Sequence, residues 1–254
     1  AGLVRMKHSF SLYTQTMNPK KQKVFCIVPA AGIGLRMQAT VPKQYLPLQN
    51  KTVLDVTLGR LLSNHLLVNV IVCIAENDHW WQQSTYADNT RVLQVTGGKE
   101  RADSVLNGIQ LALSHAEFGD WVMVHDAARP CLRASDIDLL ISKALDNEQG
   151  AILATPIHDT VKYVDNKRSI KTLDRSRLWR ALTPQIFKLG ELHKALIHAI
   201  DKQLIVTDEA SAIEALGLPV QVIEGHADNI KVTQPDDLAL AEFFLNKQKG
   251  KSCE

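Results

Sequence analysis

The sequence predicts a doubly wound α/β fold with a mostly parallel sheet, and three observations carry that expectation. Apolar runs rich in β-branched residues recur between residues 24 and 233, segments with helical spacing separate them, and glycine-rich or acidic loops close several of the runs. Strands that are apolar at nearly every position are buried on both faces, as in parallel sheets covered by crossover helices.

The first run is 24–29 (VFCIVP), followed by 68–75 (VNVIVCIA) and 92–96. Between the first two, Val53, Leu54, Leu58, Leu61 and Leu62 recur near helical spacing, as Val105, Leu106, Ile109, Ala112 and Leu113 do after the third. Both segments read as crossover helices. Further strands are expected at 121–125, 151–155, 220–224 and 230–233. The alternation breaks over 156–182, where TVKYV and SIKTL flank the turn-like DNKR. That excursion reads as a protruding β-arm that covers a site, contacts a second subunit, or is a plain surface hairpin. QIFKLGELHKALIHAIDK returns to a helical pattern, and DEASAIEALG reads as a helix ending at Gly217. The expected organisation is an N-terminal extension over 1–23, a single domain over 24–246, and a tail over 247–254.

Composition narrows the function classes. A chain of 254 residues with 45% hydrophobic content supports a sizeable core, and a formal net charge of +2 supplies no global field for nucleic acid. Any anion site must therefore be local. Cys26, Cys73, Cys131 and Cys253 form no CxxC pair, and none of the nine histidines falls in a metal-binding spacing, so inert buried thiols and no histidine ligand are expected. No stretch reaches the roughly 18 consecutive apolar residues of a membrane span, and residues 1–23 lack the apolar core of a signal peptide. A soluble, cytoplasmic protein is the expectation.

The most informative segment is PAAGIGLRM, which follows the first strand directly and leads into PKQYLPL. Gly32 and Gly34 allow the backbone to approach a phosphate chain, although the same glycines suit an ordinary tight turn. A dinucleotide fingerprint would need glycine where Met37 stands, and a Walker loop would need GK[ST], which is absent. Arg36 and Lys43 add two cations behind the loop, in a segment pinned by Pro42 and Pro47. In GGKERADSV, Gly97, Gly98 and Ser104 either admit a planar base or make a capped strand-to-helix turn. In VHDAARP, Asp126 falls at the C-terminal end of a strand, where ligands of open α/β sheets collect. It either holds Mg²⁺ or forms a salt bridge, with Arg129 able to orient its neighbours. Asp208 in TDEASA suits an N-cap, and Lys231 sits within the expected last strand.

In order along the chain, PAAGIGLRM, PKQYLPL, GGKERADSV, VHDAARP, LWRALTPQ, TDEASA and NIKVTQPDDLALAE resemble the 2-C-methyl-D-erythritol 4-phosphate cytidylyltransferase family of the non-mevalonate isoprenoid pathway. The resemblance runs from about Val24 to Leu245 and implies a Rossmann-like sheet of nucleotidyltransferase type. It implies that Ala30, Ala31, Gly32, Gly98 and Ser104 surround the cytidine nucleotide and that Arg36 and Lys43 act on the reacting phosphates. Asp126, Arg129, Thr160, Arg175, Thr183, Thr207 and Lys231 would serve the acceptor, a sugar-alcohol phosphate. Lys99 stands where relatives are often acidic, so a base-reading role there falls to the backbone. The resemblance further implies CTP as donor, Mg²⁺ or another divalent cation carried mainly on the CTP phosphates, and a homodimer formed through the arm. Ribitol-phosphate cytidylyltransferases are the nearest alternative, and a catalytically silent nucleotide-binding subunit is a distant one.

Overall fold

The structure, a computed structural model, describes residues 22–32 and 41–250. After β1 (Val24–Pro29) come the two-residue strands β2 (Pro47–Leu48) and β3 (Lys51–Thr52), then α1 (Val53–Leu62), β4 (Leu67–Ile74), β5 (Val92–Thr96), α2 (Arg101–Leu113) and β6 (Trp121–Val124). The second half contains α3 (Ala134–Asn147), β7 (Ala151–Pro156), β8 (Val161–Asp165), β9 (Arg168–Leu173), β10 (Trp179–Lys188), α4 (Leu189–Asp201), α5 (Glu209–Ala215), β11 (Gln221–Glu224) and α6 (Asp236–Gly250).

Seven strands form one sheet in the order β11-β7-β10-β6-β1-β4-β5. Its pairings are parallel except those of β10, which runs antiparallel to both β6 and β7. Alternate side chains of each central strand go to opposite faces, and both faces are buried. Cys26, Val28, Val70, Val72 and Met123 pack against Leu54 and Leu58 of α1 and Ile137 and Leu140 of α3. Phe25, Ile27, Ile71, Val122 and Phe187 pack against Val105 and Ile109 of α2, Leu192 of α4 and Ile213 of α5. This two-sided burial is why the strands read as continuous apolar runs.

Local chemistry sets the helix ends. Thr52 accepts the Asp55 N–H at 3.0 Å ahead of α1, and Asp208 accepts the Ser211 N–H at 3.0 Å ahead of α5. Beyond α5, Gly217 takes φ of 73°, the left-handed conformation that ends a helix most readily at glycine. The arm turns through Asn166 and Lys167, with φ of 46° and 62°, as a two-residue primed turn requires.

Several expectations need correction. Residues 185–188 continue β10 in place of beginning a helix, and residues 179–182, expected at the end of the arm, also belong to that central strand. Pro184 is the reason the strand was missed: it interrupts the strand pattern, and the ladder to β7 shifts register between Ala181 and Gln185. The hairpin proper is only β8 and β9. Residues 230–233 join no ladder, and the segment is held instead by contacts such as Val232 N–H to the Ala128 carbonyl at 2.8 Å. Helix α6 runs to Gly250, past the expected tail boundary at 247. The N-terminal extension up to residue 21, together with Gly34, Arg36, Met37 and residues 251–254, lies outside the described residues.

Candidate active site

Two adjoining pockets open where the C-terminal ends of β1 and β6 meet the starts of α2 and α5. Ala30, Ala31, Gly32, Lys43, Gly98 and Ser104 line the first. Arg129, Thr183, Gln185, Thr207 and Asp208 line the second, and Arg101, Asp126 and Lys231 line both. The shared residues form the wall between a small-residue, backbone-rich cleft and a polar one.

The first pocket is shaped by close packing. A Cβ on Gly97 would meet the Ala31 Cβ at 2.6 Å, and one on Gly98 would meet the Asp103 Cβ at 2.2 Å. Both glycines are therefore required by the loop's approach to α2, whatever the pocket binds. Ser104 accepts the Gly98 N–H at 3.0 Å, which fixes the loop, and the Asp103 carboxylate accepts the Glu100 N–H at 3.0 Å. Lys43 enters from a 3-10 turn, Lys43–Tyr45; burial acts to raise the Asp237 carboxyl of α6, but hydrogen bonds from Thr233 and Gln234, with a smaller contribution from the Lys43 charge, hold it below its ordinary range.

The wall is a charge cluster centred on Asp126. Its carboxylate meets Arg101 Nε at 3.2 Å, Arg129 Nε at 3.2 Å and Lys231 Nζ at 2.9 Å. Burial alone would raise its pKa, but the Arg101, Lys231 and Arg129 charges outweigh burial and hold the carboxyl well below the usual range. Arg101 in turn grips Glu209 with two bonds, at 2.5 and 3.0 Å. Burial opposes the Arg101 charge, yet Glu209 and Asp126 more than offset it and raise its pKa. Burial pushes the Arg129 pKa down, against the pull of Asp126.

A neutral histidine supports this wall from below. Burial lowers the His125 pKa to about 4. With its ring neutral, Nε2–H donates to the Arg129 carbonyl at 3.1 Å while Nδ1 accepts from the Thr183 hydroxyl at 3.1 Å. The Thr183 oxygen accepts the Asp126 N–H at 3.0 Å. Thr183 therefore orients Asp126 as well as lining the second pocket. Gln185 bridges Asp208, 2.8 Å away, and the Ala210 N–H, 2.9 Å away, joining β10 to α5.

Of the two roles open to Asp126 from the sequence, Mg²⁺ holder or salt-bridge partner, the structure shows the ion pairs. Both of its oxygens are engaged by cations, and the neighbouring carboxylate of Glu209 is held by Arg101. The buried thiols are unreactive: burial pushes Cys73 and Cys131 up to about 12. Among the described residues no group of His, Cys, Asp and Glu is arranged to hold a metal.

The pockets bring together eleven of the fourteen expected residues: Ala30, Ala31, Gly32, Lys43, Gly98, Ser104, Asp126, Arg129, Thr183, Thr207 and Lys231. Arg36 lies outside the described residues, while Thr160 and Arg175 lie on the arm and line neither pocket. Arg175 donates to the His158 carbonyl at the root of the arm. Sequence reasoning passed over Arg101 and Glu209. A signal was present: Arg101 opens α2, where the helix dipole disfavours a cation, so a guanidinium there needs carboxylate partners.

A cleft at the strand ends of a doubly wound sheet is where such folds bind their ligands, and the fold is of the nucleotidyltransferase type, as its match to solved cytidylyltransferases shows. The chain belongs to the 2-C-methyl-D-erythritol 4-phosphate cytidylyltransferase (IspD) family, whose profile matches residues 24–247. It is 51% identical over 227 residues to the 2-C-methyl-D-erythritol 4-phosphate cytidylyltransferase of Aliivibrio fischeri strain MJ11, covering 89% of this chain and 95% of the relative. The Vibrio cholerae enzyme of the same name is 49% identical over 227 residues, covering 89% and 97%. The crystal structure of the Francisella tularensis enzyme superposes with a TM-score of 0.78 at 38% identity, covering 88% of this chain and 100% of that one.

Proposed function

We propose that the chain transfers the cytidylyl group of CTP to 2-C-methyl-D-erythritol 4-phosphate, giving 4-diphosphocytidyl-2-C-methyl-D-erythritol and pyrophosphate. The observation that supports this reading is the shared wall of Arg101, Asp126 and Lys231, which joins a small-residue cleft suited to a nucleotide to a cationic pocket suited to an acceptor phosphate.

An acceptor phosphate oxygen attacks the α-phosphorus of CTP as the bond to the departing pyrophosphate breaks. The acceptor monoester is already ionised near neutral pH, so the reaction needs positioning and charge stabilisation and no general base. Lys43, with Arg36, neutralises charge on the reacting phosphates. Lys231 and Arg129 face the acceptor phosphate, with Asp126 fixing both cations in place. Backbone groups around Ala30 and Gly98 read the base, which favours CTP over UTP because a keto group leaves acceptors unpaired. A divalent cation, carried mainly on the CTP phosphates with Asp126 as the nearby carboxylate, would supply charge screening for the transfer.

The chain acts as a homodimer in this reading. Tyr163, Val164 and Ile170 of the hairpin are all more than half exposed, and two strands alone are marginally stable in water. A second subunit that covers them also accounts for Thr160 and Arg175 standing clear of their own chain's pockets. A cytoplasmic location is in keeping with three buried free cysteines. Among the described residues no helix is long and apolar enough to cross a membrane.

The direct test is pyrophosphate release from CTP, UTP, ATP and GTP, each with methylerythritol phosphate or ribitol phosphate. Turnover is expected with CTP and methylerythritol phosphate. Preference for ribitol phosphate would reassign the acceptor pocket, and nucleotide binding without turnover would favour the silent subunit.

A further inference from the structure

Lys43 reaches the nucleotide pocket from a turn whose three residues are used in three different ways. A 3-10 turn has three residues per turn, so consecutive side chains leave its axis about 120° apart. Lys43 lines the pocket. Gln44 is buried and donates from Nε2 to the Ala30 carbonyl at 2.6 Å, tying the turn to the end of β1. Tyr45 lies outside the pocket lining, with its ring in the core and its hydroxyl donating to Asp78 Oδ2 at 2.7 Å.

Asp78 is a fixed point. Its other oxygen accepts the Trp80 N–H at 2.9 Å and the Trp81 N–H at 3.0 Å, and the Trp81 ring is fully buried. The turn's own backbone bonds, Tyr45 N–H to the Pro42 carbonyl and Leu46 N–H to the Lys43 carbonyl, are internal, and the outward backbone bond, Val53 N–H to the Leu46 carbonyl at 3.0 Å, holds only the residue that follows, so neither fixes the tilt of the turn against the sheet. Side chains must set that tilt. Burial and the facing Asp78 carboxylate push the Tyr45 hydroxyl well above the ordinary phenol range, so it remains a donor throughout the working pH range.

We propose that the Tyr45–Asp78 hydrogen bond positions Lys43 for catalysis, making Tyr45 and Asp78 positioning residues that act through Lys43 from outside the pocket. The inference rests on the assignment of Lys43 to the reacting phosphates. Lys43 has four rotatable side-chain bonds, and its contribution depends on where its turn holds the start of that chain. A small rotation of the turn then displaces the ammonium while leaving the nucleotide's backbone contacts intact.

The test is a double-mutant cycle on kcat with CTP and methylerythritol phosphate, using Tyr45→Phe, Lys43→Ala and the pair. Tyr45→Phe removes one hydroxyl and keeps the ring; a fall in kcat of roughly tenfold is expected, with KM for CTP changed less than about twofold. In the Lys43→Ala background the same change should cost nothing further, because no ammonium remains to be aimed. Asp78→Ser breaks the bond from the other side while its hydroxyl can still accept the tryptophan N–H groups, so it should give the same non-additive cycle. It also serves if Tyr45→Phe proves too unstable to assay, with thermal melts run on every variant.

Wild-type kcat in folded Tyr45→Phe would overturn the proposal, as would an equal loss with and without Lys43. Those outcomes differ from failure of the underlying reading, in which Lys43→Ala keeps its kcat or the wild-type chain turns over no CTP.

Discussion

The two pockets, proposed as nucleotide cleft and acceptor pocket, share a wall but are built on opposite principles. The cleft is made by backbone brought close, with Gly97 and Gly98 allowing contacts that a Cβ would block. The acceptor pocket is made by charge, with Asp126 joined to three cations drawn from α2, the loop after β6 and the segment before α6. One half depends on shape and the other on ion balance. The two should therefore fail differently when altered.

The largest effect is expected from Asp126→Asn. Removing the central anion leaves Arg129 and Lys231 without their carboxylate, and breaking a buried ion pair from one side typically costs about 3–5 kcal/mol. Activity should fall by about 100-fold or more as both cations lose their alignment. Urea melts and steady-state kinetics check the two numbers; a variant of wild-type stability would show that the wall is not held by its charges.

Acid should expose the same half through His125. Its pKa falls from 6.5 in the unfolded chain to about 4 in the fold, so over that window the unfolded state binds more protons. Stability must then decline as pH falls from about 6.5 to about 4, by about 3 kcal/mol if the shift is realised in full. Asp126, whose pKa is depressed, adds a second decline below about pH 4 as unfolded carboxylates take up protons that it resists. Stability measured against pH for wild type and His125→Asn separates the two, since the variant should lose only the upper decline. An unchanged slope in the variant would exclude His125 as its source.

Shape is tested by Gly98→Ala. The new Cβ would press on Asp103, displacing the loop that lines the proposed nucleotide cleft. KM for CTP should rise by roughly tenfold while KM for the acceptor moves less than about twofold, as expected for loss of ground-state binding in one half only. Equal effects on both substrates would mean that the two halves are not separable.

The smallest change is expected from Arg175→Lys, which keeps a charge on the arm but loses the planar fork. Acceptor KM should rise by about threefold to tenfold with CTP binding unaffected. Titration of CTP and of the acceptor into the variant distinguishes this from an effect on the nucleotide side.

The same contrast governed what could be read from the sequence. The cleft was legible because its parts sit in short contiguous motifs, with β1 and β5 found at their observed limits and the glycines beside them. The acceptor wall was only partly legible. Asp126, Arg129 and Lys231 stood out singly, but their mutual contact, and the Arg101–Glu209 pair across 108 positions, are products of tertiary folding. Strand β10 was lost for a local reason, since Pro184 breaks the pattern in a strand otherwise buried between two neighbours. The segment at 230–233 was misread for the converse reason. Alternating apolar residues suited a strand, but anchoring falls to Asn229, which donates to the Thr183 carbonyl at 2.8 Å, and to Asp228, which pairs with Arg133.

The reversed direction of β10 has a consequence for how such a protein can change. Pro156 closes β7 and Trp179 opens β10 directly opposite it, so the intervening residues leave and rejoin the sheet at neighbouring points on one rim. A parallel strand there would have required a crossover spanning the sheet. With the ends a single strand spacing apart, the 157–178 insert can be lengthened, shortened or exchanged without moving any strand of the nucleotide half. The arm can thus vary as a removable module while the seven-stranded sheet keeps its order.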